Sequence, residues 1–416
     1  MSEGGISTVD QLSDMVRNAG GVDLHKFRLL FRWMATNAPD REPVKIAIAM
    51  LGLFKGTDDR ALFLTFGCHG EFSLYAVVAL QNTLENADKD LWHIAQKLES
   101  WGRINAIKRL ADTTDTDIKR WLVREGYKNN IMYEYTAYVA AVTGELANEL
   151  ASDTPEPAVL DGAAEILSAL CSGGPGESIS AYADAPIAVA RFLAHVQNGQ
   201  VNVIRLEAVC SLRRYFKRAK NQAPWRDAEW QAALRQSEAI LEHKPNVELI
   251  SQALWHGERN EFWTARGVAN ALGIDTWDAS LKQHMSGDEQ WGALMQSKDP
   301  ARIDRVIALA EKTLPLEAIA SGPALLNGLG LAFIDHSAID YIVQDLKLFP
   351  GKGWRLVLTA LKSPVIRNRN MAVNVLEAWG KENCSAEARH EIEQALLHEP
   401  HEKLKLRLAE LREDFA

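Results

Sequence analysis

Two similar stretches near the C-terminus decide the fold: Ala360-Leu361-Lys362-Ser363-Pro364 and Ala395-Leu396-Leu397-His398-Glu399-Pro400. In each, an apolar helical pattern stops at a proline turn and a second amphipathic pattern follows. A repeat of roughly 20–50 residues is typical of α-solenoids, in which each helical pair covers the apolar face of its neighbour. The sequence therefore predicts stacked helical hairpins in this part of the chain.

The apolar residues around these turns have helical spacing. Trp354, Val357 and Leu361 share one helix face, and Gly380 is placed to end the following helix. Ser385 can cap the helix that leads to the second proline. Beyond that proline, charged residues surround a stripe of leucines, as the terminal helix of a repeat array requires.

Similar helical units precede this region. A Thr/Asp cluster at 113–117 is placed to begin one helix, Gly126 to end it, and Gly144 to end the next. Clean strand alternation is almost absent. We therefore predict an all-α fold of helical-hairpin repeats, stacked into a right-handed α-solenoid.

Two stretches rich in proline and glycine interrupt the helical pattern, at 151–158 and 172–186. They predict N-terminal helical repeats over residues 1–150, a linker or long loops over 151–185, and C-terminal repeats over 186–416. Whether the interruption separates two domains or is only a long inter-helix loop stays open.

Composition narrows the class of protein. With 47% hydrophobic residues in 416, the chain can form a large core, which excludes global disorder. A net charge of −9 argues against a surface adapted throughout to phosphate backbones. Four scattered cysteines predict reduced thiols, and no apolar run approaches the ~20 residues that span a bilayer. We expect a cytoplasmic protein that does not insert into membranes.

The sharpest charge feature is a basic stripe followed by two tryptophans: Arg213, Arg214, Lys217, Arg218 and Lys220, then Trp225 and Trp230. Helical spacing places the cations of the stripe on one side of a helix. Such a surface could hold phosphates and stack a base, or could bind an acidic protein surface. The alternative is a solvated helix face with tryptophans packed between repeats.

A second candidate binding segment runs from 121 to 135, where Arg124, Asn130 and Glu134 could project from a helix junction into a groove. Helix capping and hydrogen bonds between repeats would explain the same residues.

No local motif indicates catalysis or a metal. His398, Glu399, His401 and Glu402 are interrupted by Pro400, so they lack the spacing of a zinc site. The glycine-rich segment at 173–176 lacks the Lys-Ser/Thr that follows in a P-loop. An active site assembled from distant helices would leave no local motif, and that possibility stays open.

The hairpins at 353–380 and 385–413 resemble HEAT and HEAT-like repeats. The segment 102–135 also resembles uncharacterised bacterial helical proteins, some of which carry a limonene-hydroxylase label, and this implies a bacterial origin and a shared fold. Monoterpene hydroxylation needs haem, flavin or non-haem iron. The sequence has no recognisable haem-ligand motif and no dinucleotide fingerprint, so we predict no cofactor.

HEAT-like solenoids include alkylpurine DNA glycosylases, which hold DNA in a basic groove with an Asp and tryptophans near the lesion. Asp227, between Trp225 and Trp230, is similar in placement. We expect a non-enzymatic protein that binds another protein, as a scaffold, a regulator or an immunity-type inhibitor. The alternative is a DNA-binding protein that uses the basic stripe.

Overall fold

A computed structural model describes residues 15–16, 23–221, 223–288, 290–384 and 386–415. These residues form helices joined by turns and loops, and no strand occurs among them. The predicted all-α fold is confirmed. The helices belong to two compact units, residues 1–274 and 275–416.

The described helices of the first unit are α1 Leu24–Asn37, α2 Arg41–Leu51, α3 Arg60–Gly67, α4 Ser73–Thr83, α5 Asp88–Lys97, α6 Ser100–Lys108, α7 Thr116–Trp121, α8 Ala137–Thr143, α9 Leu146–Glu149, α10 Pro157–Ser172, α11 Ala185–Gln197, α12 Val203–Arg218, α13 Asp227–Glu242, α14 Lys244–His256 and α15 Arg259–Ala271. Those of the second unit are α16 Trp277–Met285, α17 Trp291–Met295, α18 Pro300–Thr313, α19 Leu316–Ile319, α20 Ile334–Leu346, α21 Trp354–Leu361, α22 Ile366–Trp379, α23 Ala388–His398 and α24 Glu402–Asp414. Single turns of other helical types lie at Leu122–Gly126 (π), and at Tyr133–Tyr135, Ile179–Ala181, Leu331–Phe333 and Lys381–Asn383 (3-10).

The first unit begins with stacked helical pairs. Helix α1 packs on α2, α3 on α4, and α5 on α6, and the second helices α2, α4 and α6 also pack on one another in a row. Each pair thereby covers an apolar face of the next, which is the arrangement that the repeat pattern predicts. The α-solenoid, its HEAT-like repeats and its right-handed twist stay predictions.

Ion pairs connect successive hairpins of this stack. Arg28 Nη2 lies 2.7 Å from Asp59 Oδ2, and Arg60 Nη2 lies 2.6 Å from Asp90 Oδ1. Both aspartates are buried, so each carboxylate depends on the arginine of the neighbouring helix for its charge compensation.

The segment predicted as a linker or long loops, 151–185, contains a core helix. Helix α10 starts at Pro157, ends before Gly173 in the left-handed conformation (φ 72°), and packs along α12. Its buried residues include Leu160, Ile166 and Leu167. This burial makes α10 part of the first unit, which extends to residue 274.

Local helix signals in the sequence are confirmed where the structure describes them. Asp115 caps α7, because its Oδ1 accepts from the backbone N of Asp117 at 3.0 Å and of Ile118 at 3.2 Å. Gly144 and Gly380 follow α8 and α22 directly. Ser385, the predicted cap of the helix at 388–398, lies outside the described residues.

The second unit ends in the two predicted hairpins, α21–α22 and α23–α24. Their buried faces share one core that includes Val357, Leu376, Trp379, Ile392 and Leu408. The proline turn after α21 also carries polar contacts. Ser363 is fully buried, and its hydroxyl lies 2.9 Å from Asn368 Oδ1.

The His/Glu cluster at the second proline turn has a structural role. Glu399 is buried and receives two hydrogen bonds from the Arg369 guanidinium, Nε to Oε2 at 2.7 Å and Nη2 to Oε1 at 2.8 Å. No group of three metal-binding side chains occurs among the residues that the structure describes. Within the same residues, no helix combines the length and the apolar character needed to cross a bilayer.

Candidate functional site

The first unit has a groove along its packed helices α10 and α12. Small side chains line the strip between them, including Ala164, Ser168, Ala208 and Ser211, and the hydroxyls of Ser168 and Ser211 are hydrogen-bonded at 2.9 Å. Because these side chains are short, open space remains between the longer residues on either side. Two adjoining cavities of about 230 and 640 Å³ result, with residues of both helices in their walls. We call these two cavities together the groove.

One end of the groove is acidic. Tyr133, Glu134, Glu165 and Glu207 line the smaller cavity. Two of these carboxylates are held in place by neighbouring hydroxyls. Ser172 Oγ donates to Glu134 Oε1 at 2.7 Å, and the Tyr127 hydroxyl donates to Glu165.

The third carboxylate, Glu207, lies in both cavities and accepts no hydrogen bond from any described residue. Its side chain reaches solvent. Even so, burial of its carboxylate by the surrounding protein, followed by repulsion from Glu165, raises the pKa of Glu207 above its ordinary value, and Arg214 offsets part of this effect. Glu207 is therefore a carboxylate whose charge the protein only partly compensates.

The π-helical turn at Leu122–Gly126 positions the tyrosines of this end. The turn packs directly on α10, where a Cβ on Gly162 would lie 2.0 Å from the Val123 carbonyl oxygen. Tyr127 follows the turn, and its ring stands edge-on to Tyr133 with centroids 5.4 Å apart. The extra residue of a π turn re-aims the side chains after it, and such turns occur often at functional sites.

The glycine-rich segment at 173–176 supports Glu134. A Cβ on Gly174 would lie 2.8 Å from Glu134 Cγ, and a Cβ on Gly176 would lie 1.9 Å from the Glu134 carbonyl oxygen. Glycine at these two positions allows the chain to pass close to Glu134. The segment thus packs against one wall of the acidic end.

The other end of the groove is basic. Arg214 and Arg218, one helical turn apart on α12, line the larger cavity. Both side chains are exposed, and neither forms a hydrogen bond or ion pair with a described residue. Cys171 lies in the same cavity, but burial raises the pKa of its thiol, which keeps it protonated at neutral pH.

The structure separates the residues of the basic stripe. Arg213 Nη2 donates to the Ala271 carbonyl oxygen at 2.7 Å, and Lys217 Nζ lies 2.7 Å from Glu238 Oε1. Lys220 is exposed beyond the end of α12. Of the five cations, Arg214 and Arg218 face the groove.

The two tryptophans after the stripe belong to the core. Trp225 and Trp230 are 6% and 4% exposed, and each packs edge-on against Phe216 with centroids 5.0 and 4.8 Å away. Asp227 accepts a hydrogen bond from the side chain of Asn221. This is the packing alternative that the sequence left open, and neither indole is exposed for stacking on a base.

The segment 121–135 contributes one of its three candidates to the groove. Arg124 bridges Glu149 at 3.3 Å and Glu156 at 3.2 Å, and so joins neighbouring helices. Asn130 bonds to two residues at the start of α6: it accepts from Ser100 Oγ at 2.6 Å and donates to Glu99 at 3.1 Å. Glu134 lines the smaller cavity.

Tyr133, Glu165 and Glu207 line the groove but were not among the site residues predicted from the sequence. For the two glutamates, the surrounding sequence contained one indication. Each glutamate stands between apolar residues of a helix that has a buried face, and a carboxylate that packing covers usually has a partner. Their proximity depends on the packing of α10 against α12.

Comparison with known proteins gives little guidance. No family model matches the sequence, and no curated protein matches it significantly. One solved structure that was found is the crystal structure of an engineered protein from the Northeast Structural Genomics Consortium. It is 17% identical with a TM-score of 0.27, over 100% of this chain and 96% of that chain. A similarity this low carries no argument about fold or function.

Proposed function

We propose that this chain is a non-enzymatic binding protein whose groove holds a segment of a partner protein. The observation that carries the proposal is the charge arrangement of the groove. Glu207, which lines both cavities, and Arg214 with Arg218 in the larger one are accessible and lack hydrogen bonds to described residues. Charged groups placed in this way orient a partner and exclude wrong ones.

The neighbours of the carboxylates favour binding over catalysis. Clustered carboxylates from separate helices are also what an active site assembled from distant helices would contain. Here Glu134 and Glu165 are already hydrogen-bonded to Ser172 and Tyr127. Those bonds fix the two acidic groups as rigid acceptors, which suits recognition of a positive charge.

The alternative, binding of DNA through the basic stripe, is less well supported. Arg213 and Lys217 are occupied by Ala271 and Glu238. The two other cations of the stripe on α12, Arg214 and Arg218, line the groove, and two arginines supply fewer positive charges than a contact along several phosphates uses. The indoles of Trp225 and Trp230 are also too buried to stack on an unpaired base.

Capture with matched variants tests the proposal. The tagged full-length protein would be isolated from its native host with and without nuclease, beside Arg214→Glu, Glu207→Arg and Lys217→Glu. Lys217→Glu is the control: it makes the same charge change as Arg214→Glu, on the same helix, but at a residue outside the groove. We expect a stoichiometric, nuclease-resistant protein with wild type and with Lys217→Glu, at least about tenfold depleted with either groove variant.

Two outcomes would overturn the proposal. Equal capture by all four proteins would show that the partner does not use the groove. Nuclease-sensitive material that moderate salt releases would favour the DNA-binding alternative, and would then depend on Arg214 and Lys217 alike.

A further inference from the structure

We infer that the groove recognises an extended segment in which a basic and an acidic side chain stand three positions apart. The inference rests on the proposed function, and it names the chemistry of the partner. The basic side chain enters the smaller cavity beside Glu207, and the acidic side chain meets Arg214 and Arg218.

The smaller cavity fits an ammonium or guanidinium group. Its walls include Tyr133, Glu165 and Glu207. Glu165 is held by Tyr127, so its position is fixed before a ligand arrives. A cation between Glu165 and Glu207 would relieve their mutual repulsion, and the ring of Tyr133 would add a cation–π contact.

The larger cavity fits a carboxylate. A guanidinium presents its donors in a planar fork, and this fork matches the two oxygens of a carboxylate. Arg214 and Arg218 offer two such forks one turn apart on α12. Ser211 adds a hydroxyl to the same cavity. It accepts from Ser168, so it can donate to a carbonyl oxygen of a bound segment.

The helix sets the axial spacing of the two backbone positions that carry these charges. Glu207 and Arg214 are both on α12, seven positions apart, which is about 10 Å along the axis at ~1.5 Å per residue. A polyproline II segment rises ~3.1 Å per residue and returns to the same face every third residue. Basic and acidic side chains at positions i and i+3 of such a segment are therefore about 9 Å apart on one face.

Fluorescence polarisation with defined peptides tests this inference on the full-length protein. The probes are labelled Arg-Pro-Pro-Glu and Glu-Pro-Pro-Arg segments with neutral flanks, compared with Arg-Pro-Pro-Arg and Glu-Pro-Pro-Glu. We expect one of the mixed-charge peptides to bind at least about tenfold more tightly than either like-charge peptide. Equal binding of all four would overturn the inference.

A charge reversal in the groove provides the decisive control. In Glu207→Arg, the preference should switch to Glu-Pro-Pro-Glu, whereas Lys217→Glu should keep the wild-type order. If Glu207→Arg does not fold, as circular dichroism would show, Glu207→Gln should still weaken the mixed-charge peptide. An unchanged order of the four peptides in folded Glu207→Arg, or undiminished binding of the mixed-charge peptide in Glu207→Gln, would contradict the inference.

The two experiments distinguish the inference from the proposed function. Loss of partner capture in Arg214→Glu, together with no peptide preference, would retain the groove as a binding site and reject the motif. A peptide preference that switches in Glu207→Arg as predicted supports both the motif and the use of the groove for binding.

Discussion

Arg369 and Glu399 form an ion pair with both side chains excluded from solvent, at 0% and 1% exposure. Arg369 also donates to the Ser363 carbonyl oxygen at 2.8 Å, and Glu399 accepts from the His401 backbone N at 2.9 Å. The pair therefore connects the proline turns of the two C-terminal hairpins. The residues that first indicated the repeat are thus joined by one buried network.

Removing one partner of this pair should strongly destabilise the folded protein. Arg369→Met leaves the Glu399 carboxylate buried without its counterion, so we expect the free energy of unfolding to fall by about 3–5 kcal/mol. The double variant Arg369→Met/Glu399→Leu should recover part of that loss, because no charge remains buried. Urea unfolding measures the free energy of unfolding of the single and the double variant.

Arg389→Met is the control. It removes an exposed ion pair with Glu393, so the free energy of unfolding should fall by less than about 1 kcal/mol. Equal losses for the two single variants would contradict the role assigned to the buried pair.

Truncation of Trp230 should act on stability. Its indole is buried against Phe216 and Trp225. Trp230→Ala leaves a cavity there, and we expect the free energy of unfolding to fall by about 3–5 kcal/mol. Trp33→Ala is the control, since this indole is 61% exposed and its loss should change stability by less than about 0.5 kcal/mol. Thermal or urea unfolding measures the difference. A folded, equally stable Trp230→Ala protein with weakened DNA binding would contradict the core assignment.

Gly176→Ala should disturb the acidic end of the groove. The added methyl would lie 1.9 Å from the Glu134 carbonyl oxygen, so the backbone must move, at an expected cost of about 1–3 kcal/mol. Binding of the partner segment should weaken as Glu134 is displaced. Gly267→Ala is the matched control, because a Cβ there meets no atom within 4 Å. Equal melting temperatures and equal binding of the partner segment in the two variants would contradict the role assigned to Gly176.

The stability of the second unit should depend on pH through His284. Burial lowers the pKa of this imidazole below 6.5, and its Nδ1 accepts from the Gln290 backbone N at 3.1 Å while the ring packs on Trp291. Below pH 6.5 the unfolded chain therefore binds a proton that the folded state resists, and stability falls as pH decreases through this range. Urea unfolding between pH 7.5 and 5.5 should show a loss of less than about 1.4 kcal/mol for each unit of pKa shift.

His284→Gln is the control for this pH dependence. Glutamine cannot gain a proton in this range, so the variant should show a flatter profile between those two pH values. A slope identical to that of the wild type would assign the dependence to other groups.

Local signals in the sequence determined where helices begin and end. Asp115 caps α7 because its carboxylate reaches backbone N–H groups two and three residues away. Gly380 ends α22 with φ 66°, which a residue without a Cβ adopts without strain. The all-α fold and the C-terminal hairpins follow from the same short-range periodicity.

Tertiary structure alone decided which of the candidate residues meet. Arg213 and Arg214 are neighbours in sequence, yet one donates to Ala271 and the other lines the groove, because successive side chains on a helix point about 100° apart. Glu165 and Glu207 come together only where α10 packs on α12. Sequence periodicity identifies the buried face of each helix, but the pairing of two such faces depends on how all the intervening segments pack. For that reason the all-α fold could be predicted from the sequence, and the groove could not.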